Sequence, residues 1–216
     1  MKLYCGCQYA VLNEFNNVES ATTFVNRMAS LRWVIIKVSS SEDVNITLVT
    51  KPNLQLIQII FHLYDVDGDN VNFDLSASTN LHTIFIENPI LLQTAPRVTA
   101  RTLPLLEVIQ CRRCTFVDFN PCESQNLRSL WLLYSYMLQP NDCLSDLHYL
   151  ESFIVKNRDL RGCEGRCMQR VPELPPSLIF LLLDSQNITE IAIETALADI
   201  EMISLWGNAV CGIYIN

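Results

Sequence analysis

Basic residues are scarce in this chain of 216 residues. It contains 15 lysines and arginines against 23 aspartates and glutamates, a net charge of −8, and the basic residues form no run. Proteins that bind nucleic acids or anionic membrane surfaces depend on clustered positive charge. The composition therefore argues against both kinds of partner.

Long apolar runs and catalytic signatures are also missing. Half of the residues are hydrophobic, yet no apolar run reaches the roughly 18 residues that a membrane span needs. The segment 1–7 lacks the apolar stretch of a secretory signal. The glycines form no phosphate-binding loop, and no serine or cysteine stands in a nucleophile elbow. We expect a protein that is not an enzyme, uses no cofactor and has no membrane span in this chain.

Two segments have spacings that superficially match metal sites. The segment 65–70 alternates carboxylates, but an EF-hand loop would need glycine and glutamate where Asn70 and Ser76 stand. Cys111 and Cys114 have the spacing of a zinc half-site. The repeat described next places both in the core, where cysteine behaves as a small apolar residue. We therefore expect no metal site.

What the chain does contain is one apolar pattern that recurs along most of its length. The segment Ile200–Val210 has apolar residues at its first, fourth, sixth and eleventh places and Asn208 at its ninth. This spacing predicts a short strand followed by a bend that turns the backbone out of it. Eight copies, at intervals of 21 to 28 residues, start at Leu31, Leu54, Leu81, Leu106, Leu127, Leu150, Leu178 and Ile200.

The fourth and sixth places of these copies are predicted to point into a core. They hold, in the first seven copies, Val34 and Ile36, Ile57 and Ile59, Ile84 and Ile86, Ile109 and Cys111, Leu130 and Leu132, Phe153 and Val155, and Leu181 and Leu183. One such unit cannot bury its own apolar side. Neighbouring units must stack, which converts many small apolar sides into one continuous core.

The pattern resembles that of the leucine-rich repeat superfamily, Leu-x-x-Leu-x-Leu-x-x-Asn/Cys-x-Leu, over about residues 31–216. The resemblance implies an α/β solenoid with a parallel β-sheet on the concave face and irregular or short-helical convex returns. The segment Glu190–Asp199, rich in alanine and glutamate, favours a helix in one such return. In the family the ninth-place side chain bonds the turn backbone. Because only Asn208 and Cys114 match there, we expect a weak ladder and irregular repeats.

The pattern divides the chain at residue 31. Residues 1–30 hold no good copy and are predicted to form an N-terminal cap or a degenerate repeat that covers the first edge of the sheet. Residues 31–216 are predicted to form the solenoid, with about eight repeats and an incomplete last one. Terminal repeats ordinarily need a polar cover. We therefore expect this chain to be a fragment, or a shortened relative, of a longer protein.

Nine cysteines are many for a protein of a reducing compartment. Cys122 and Cys143 each lie 16 residues after the first place of their copies. Stacking of the copies would place these two side by side, so a disulfide between adjacent repeats is predicted. Cys163 and Cys167 are candidates for closing a small loop. Reduced thiols in an intracellular protein are the alternative, and the odd count leaves at least one thiol unpaired within the chain.

Places two, three, five, seven and eight are predicted to face solvent on the concave side of the sheet. Aromatic and aliphatic residues there exceed what a solvated sheet needs, which is typical of protein contact surfaces. The alternative is that they merely favour β structure and pack against one another. The predicted partner-binding residues are Trp33, Ile35, Phe85, Trp131, Tyr134, Ile154, Leu182 and Trp206.

These observations predict a non-enzymatic module that binds a protein or peptide on its concave face, in an extracellular or receptor-type protein. Binding is what the resemblance implies. The alternatives are an intracellular, cytoplasmic adaptor, such as the substrate-recognition part of a ubiquitin ligase or an immune sensor, and an array attached to a catalytic part outside this chain. The sequons at Asn45 and Asn187 do not discriminate between compartments, because about two are expected by chance.

Overall fold

The computed structural model of the protein describes residues 8–15, 30–38, 46–49, 52–61, 71–87, 97–137, 143–157, 167–193 and 197–215. These residues form sixteen β-strands. In chain order the strands are β1 (Tyr9–Phe15), β2 (Trp33–Val38), β3 (Ile46–Val49), β4 (Leu56–Phe61), β5 (Val71–Asp74), β6 (Thr83–Glu87), β7 (Arg97–Thr99), β8 (Val108–Arg112), β9 (Thr115–Val117), β10 (Ser129–Leu133), β11 (Tyr136–Met137), β12 (Ser152–Lys156), β13 (Phe180–Asp184), β14 (Glu190–Ile193), β15 (Met202–Ser204) and β16 (Gly212–Ile215).

The strands form two main sheets and one small one. Nine strands make the long sheet, in the spatial order β1, β2, β4, β6, β8, β10, β12, β13, β15. Five strands make the short sheet, in the order β3, β5, β7, β9, β11, and β14 pairs with β16. All of these pairings are parallel. From β2 to β11 the chain alternates between the two main sheets. It is a parallel β-solenoid, which confirms the predicted solenoid with a parallel sheet.

The return segments are strands and turns rather than short α-helices. In the described part of the chain, the helical segments are two short 3-10 turns, Pro121–Glu123 and Leu144–Asp146. The segment predicted to be helical starts instead with β14, whose residues are alternately exposed and buried. A period of two favours a strand over a helix, and pairing with β16 satisfies the backbone of β14. The described residues therefore do not show the helical component of the predicted α/β class.

The inward side chains of the long sheet build the core. The first-, fourth- and sixth-place residues of the seven copies from Leu31 to Leu178 are all buried, as predicted. Phe73, Val98 and Phe116 of the short sheet belong to the same buried cluster and close the core from the other side. Full burial of such side chains stabilises the fold by about 1.5–3 kcal/mol each relative to exposure.

Backbone hydrogen bonds between copies recur at the entrance to each strand of the long sheet. The second-place N–H of one copy donates to the second-place carbonyl of the preceding copy, from Gln55 to Arg32 at 2.7 Å and from Glu201 to Ile179 at 2.9 Å. The same carbonyl accepts a second bond from the third-place N–H, as the Arg32 carbonyl does from Leu56 at 3.0 Å. This entrance ladder sets the register of neighbouring strands.

A left-handed residue at the eighth place turns the backbone out of the later strands. Positive φ angles occur at this place in Arg113, Tyr134, Ser185 and Gly207. The eighth-place N–H donates to the seventh-place carbonyl of the next copy, as from Tyr134 to Lys156 at 2.6 Å. Strands β2 and β4 lack this turn and continue through the eighth place, to Val38 and Phe61. We call the bonds from the eighth-place N–H groups to the seventh-place carbonyls the exit ladder.

Asn208 supports the last described turn with both ends of its carboxamide. Its Nδ2 donates to the carbonyls of Leu183 and Leu205 at 2.6 and 2.9 Å. Its Oδ1 accepts from the N–H groups of Gln186 and Ile188 at 2.8 and 3.1 Å. The side chain thus joins two consecutive copies at the ninth place, as the resemblance implied for this position.

Other residue types perform the same task where the sequence departs from asparagine. Ser135 Oγ accepts from the N–H of Cys114 at 3.1 Å and lies 3.2 Å from the Cys111 carbonyl, to which it can donate. Gln186 Nε2 donates to the carbonyl of Asp184 at 3.1 Å. The expectation of a weak ladder fails at these two copies, because a hydroxyl and a longer carboxamide also bond the backbone of the turn.

The long sheet begins before residue 31. The Gln8 carbonyl accepts from the N–H groups of Arg32 and Trp33, both at 2.9 Å, which is the second-place pattern of the entrance ladder. Strand β1 accordingly pairs with β2 in the common register, with Ala10 opposite Val34. Of the N-terminal segment the structure describes residues 8–15 and 30, and its assignment as a cap or a degenerate repeat stays a prediction.

The last copy is less buried than the pattern predicts. Ile203, at a fourth place, is 45% exposed, and Ile200 and Leu205 are only partly buried. Within the described residues β15 pairs with β13 alone, so its apolar side packs against one neighbour instead of two. Ile203 lies on the inward side of the sheet, opposite the buried Leu181, but its burial is incomplete.

Replacing Asn208 by alanine should lower the free energy of unfolding by about 1–3 kcal/mol, because it leaves donors and acceptors of the turn unpaired. Chemical denaturation measures this change. Asn126→Ala is the matched control, since exposed Asn126 makes a single bond, from Nδ2 to the Pro104 carbonyl, and should change stability by less than about 0.5 kcal/mol. Equal effects of the two substitutions would contradict the role assigned to Asn208.

Candidate functional site

Three rows of side chains cover the solvent face of the long sheet, one row for each outward place of the strands. Strand register aligns the residues of each row across neighbouring copies. The third-place row contains Trp33, Leu56, Thr83, Val108, Ser129, Ser152, Phe180 and Met202. The fifth-place row contains Ile35, Gln58, Phe85, Gln110, Trp131, Ile154, Leu182 and Ser204. The seventh-place row contains Lys37, Ile60, Glu87, Arg112, Leu133, Lys156, Asp184 and Trp206.

The structure brings most of the predicted partner-binding residues together. The fifth-place row holds five of them, all partly buried: Ile35, Phe85, Trp131, Ile154 and Leu182. Trp33 lies in the adjacent third-place row and is 50% exposed. Phe180 and Met202 of that row are also exposed apolar residues, which the sequence analysis did not select. We call the third- and fifth-place rows together the apolar strip.

Trp131 occupies a defined orientation within the strip. Its Nε1 donates to Ser152 Oγ at 2.8 Å, across to the next strand. The ring is partly buried among the neighbouring side chains of the face rather than in the core, where the adjacent Leu130 and Leu132 lie. A tryptophan held by its indole N–H keeps one ring face available at little further entropic cost.

Trp206 is the most exposed large apolar side chain of the described residues, at 70%. Its backbone is nevertheless firmly held. The Asp184 carboxylate, only 5% exposed, accepts from the N–H of Trp206 at 3.1 Å and from Ser204 Oγ at 2.6 Å. Ser185 N–H donates to the Trp206 carbonyl at 2.8 Å. Asp184 is therefore a positioning residue that the sequence analysis missed.

Gly207 completes the turn that presents Trp206. Its φ of +73° is one that residues with a side chain seldom adopt. A Cβ at this position would also approach Ser185 Oγ to 2.7 Å. Glycine therefore allows two consecutive turns to pack closely behind Trp206.

Tyr134 is displaced from the strip. It stands at the left-handed eighth place, with φ of +55°, and is partly buried. The Arg113 guanidinium, from the same place of the preceding copy, lies 5.7 Å from the centre of its ring. Tyr134 therefore belongs to the turn at the end of the sheet, and the structure places it beside the strip rather than in it.

Charged side chains flank the apolar strip on both sides. In the second-place row, Arg128 contacts Glu151 at 3.0 Å, and His82 Nδ1 lies 3.0 Å from Glu107. In the seventh-place row, Arg112 lies 3.6 Å from Glu87 and Lys156 lies 3.6 Å from Asp184. The pairs Arg128–Glu151 and Arg112–Glu87 are exposed and contribute little to stability, whereas Asp184 is buried. Together these side chains border the apolar surface with charged groups of both signs.

The predicted pair Cys122 and Cys143 lies at disulfide distance. Their sulfur atoms are in contact and their Cα atoms are 5.9 Å apart, within the range that a disulfide requires. Cys122 lies within the turn Pro121–Glu123 and Cys143 directly precedes the turn Leu144–Asp146. These two turns contact each other, which explains why equal offsets along the sequence bring the cysteines together. The predicted proximity of this pair is confirmed.

A second pair, which the sequence analysis did not predict, is formed by Cys111 and Cys114. Both are fully buried, as expected for core positions, and their Cα atoms are 6.2 Å apart, again at disulfide distance. The left-handed turn between the sixth and ninth places brings them together. Cys167 is partly buried, its predicted partner Cys163 lies outside the described residues, and Cys211 is an exposed free thiol.

The described residues show neither a metal cluster nor a membrane helix. No three side chains of histidine, cysteine, aspartate or glutamate converge among them. None of their helices is long and apolar enough to cross a bilayer. The acidic segment 65–70 lies outside the described residues.

Comparisons of sequence and of fold found no protein family, curated protein or solved structure that matches this chain. Its function must therefore be argued from its own surface.

Alkylation under native and denaturing conditions tests the cysteine pairs. In protein purified without reductant, we expect Cys211 to react in the native state, because it is exposed. Cys111, Cys114, Cys122 and Cys143 should stay unlabelled even after denaturation, because disulfides do not alkylate. Peptide mass mapping before and after reduction identifies each site. Nine free thiols in the denatured, unreduced protein would contradict the disulfides and the extracellular setting.

Proposed function

We propose that the protein is a non-enzymatic recognition module, a leucine-rich-repeat-like solenoid that binds a protein or peptide on the apolar strip of its long sheet. The observation that carries this proposal is the strip itself. Each of the eight strands of the long sheet from β2 to β15 contributes at least one aromatic or aliphatic side chain to it, and ion pairs lie on both sides. An apolar centre with a polar border is the usual composition of a protein contact surface.

The length of the strip suits a polypeptide partner. From β2 to β15 it crosses seven inter-strand steps of about 4.8 Å, or roughly 34 Å in all. An extended peptide of about ten residues covers that length at about 3.3 Å per residue. A small molecule would occupy only a fraction of the strip.

The indole of Trp131 and the backbone of Trp206 are held before any partner arrives. Ser152 holds the indole of Trp131, and Asp184, Ser185 and Gly207 hold the backbone of Trp206. Preorganised anchors lower the entropic cost of binding, and tryptophan is enriched among residues that dominate interface energies. Trp131 within the strip and Trp206 beside it, in the seventh-place row, are therefore our proposed principal anchors. Trp33, Ile35, Phe85, Ile154 and Leu182 form the surrounding contact, with Tyr134 at its border.

The cysteine pairs support an extracellular or receptor-type setting for this module. Two pairs lie at disulfide distance, and disulfides persist mainly in oxidising compartments. An intracellular adaptor with the same binding face is the alternative, and the thiol mapping described above distinguishes the two settings.

Substitution of the anchors tests the proposal. A binder is first selected from displayed peptides and extracellular domains against the purified chain. Trp131→Asp and Trp206→Ala should each weaken its affinity by at least about tenfold, as expected for truncation of a dominant anchor. Tyr149→Ser is the matched control, because Tyr149 is 56% exposed but lies outside the long sheet, and it should leave affinity unchanged.

Circular dichroism shows whether the variants fold. Trp206→Ala removes a side chain that is mostly in solvent, so its fold should be intact and its affinity directly interpretable. Loss of sheet signal in Trp131→Asp would assign Trp131 to the structural core instead. Binding that tolerates both tryptophan substitutions but is lost in Tyr149→Ser would place the contact surface elsewhere.

A further inference from the structure

The segment Asn187-Ile188-Thr189 has the sequence of an N-glycosylation acceptor, asparagine followed by any residue but proline and then threonine. The sequence alone is no evidence that this acceptor is used, because about two such segments are expected by chance. In the fold, however, Asn187 and Thr189 are both exposed, while Ile188 between them is fully buried. The buried isoleucine anchors the segment, and the two residues that a glycosyltransferase must reach point outward.

Hydrogen bonds to the ninth-place residue Asn208 give this segment its shape. Asn208 Oδ1 accepts from the N–H groups of Gln186 and Ile188, the residues on either side of Asn187. This bridge makes Asn187 the tip of the turn, with a φ of +67°. Asparagine tolerates such a left-handed conformation better than most residues with a side chain.

The Asn187 carboxamide has no competing role in the fold. In the described part of the chain its side chain makes no hydrogen bond, whereas the chemically identical side chain of Asn208 makes four. The Thr189 hydroxyl is likewise without a partner there, and the backbone of Thr189 is held by bonds to Gln169 and from Cys211. The acceptor amide is therefore exposed, fixed in position and unengaged.

The structure assigns Asn187 as an N-glycan attachment site. In the transfer, Asn187 Nδ2 forms a bond to the anomeric carbon of an oligosaccharide carried on a lipid diphosphate. The bond from that carbon to the diphosphate oxygen breaks, the lipid diphosphate leaves with the electron pair, and the amide nitrogen loses one proton. No atom changes oxidation state in the protein.

Asn187 lies outside the long sheet, between the end of β13 and the start of β14. Asn187 belongs to none of the three outward rows of the long sheet. This assignment rests on the extracellular setting of the proposed function, but it does not depend on where the partner binds. Loss of the glycan should therefore leave partner binding unchanged.

The test uses the full chain with a cleavable signal peptide and a C-terminal tag that contains its own acceptor sequon, expressed in insect cells. The tag sequon reports that the chain entered the secretory lumen. Chymotrypsin, which cleaves after leucine, should release residues 184–197 around the site. Enzymatic deglycosylation in heavy-oxygen water then converts any occupied asparagine to labelled aspartate, which mass spectrometry detects.

We expect Asn187 to be occupied in most molecules whose tag is glycosylated. Thr189→Ala should abolish occupancy without altering the left-handed residue, and Thr189→Ser should retain it. Asn187→Gln should also abolish occupancy, at the cost of some strain at the positive φ. A glycosylated tag with an unmodified Asn187 would overturn the assignment. Unchanged affinity of the Thr189→Ala protein for the selected binder separates this result from the test of the apolar strip.

Discussion

The hydrogen bonds between equivalent backbone groups of successive copies are the constraint on which the other features depend. They recur at the strand entrance, from the second place of one copy to the second place before it, and at the strand exit, from the eighth place to the seventh place after it. The entrance bonds join all the copies and the exit bonds join the later ones, and together they align the side chains of the strands. Because the register is shared, burial at places four and six and exposure at places three and five are consequences of one geometry.

The same geometry explains why the buried core and the apolar strip lie on opposite faces of the long sheet. Side chains alternate along a strand, so neighbours such as Leu130 and Trp131 have different surroundings, one fully buried and the other partly exposed. Turn residues connect neighbouring copies of the repeat. Asp184 and Asn208 bond the backbone of adjacent copies and, by doing so, orient Trp206.

Much of the long sheet could be predicted from the spacing of apolar residues, because burial selects their identity in every copy. The structure of the returns could not be predicted. The composition of the segment Glu190–Asp199 favours a helix, but its first residues form strand β14, which pairs with β16. The first strand was missed because β1 has Ala10 opposite Val34, too small to show the pattern. The equal offsets of Cys122 and Cys143 indicated their proximity, whereas the Cys111–Cys114 pair depends on a turn conformation that spacing does not reveal. Trp131 and Trp206 could be selected by their places in the repeat. Their hydrogen bonds with Ser152 and Asp184 could not be predicted, because spacing does not show which side chains meet across strands.

The distance between one copy and the next varies from 21 to 28 residues, yet the strands of the long sheet remain in step. Both ladders join positions counted from within a copy, so the number of residues in the intervening return does not enter the alignment. Insertions and deletions in the returns can then occur without shifting the residues of the apolar strip. Such an architecture lets the return segments change in size and sequence during evolution while the solvent face of the long sheet keeps its pattern.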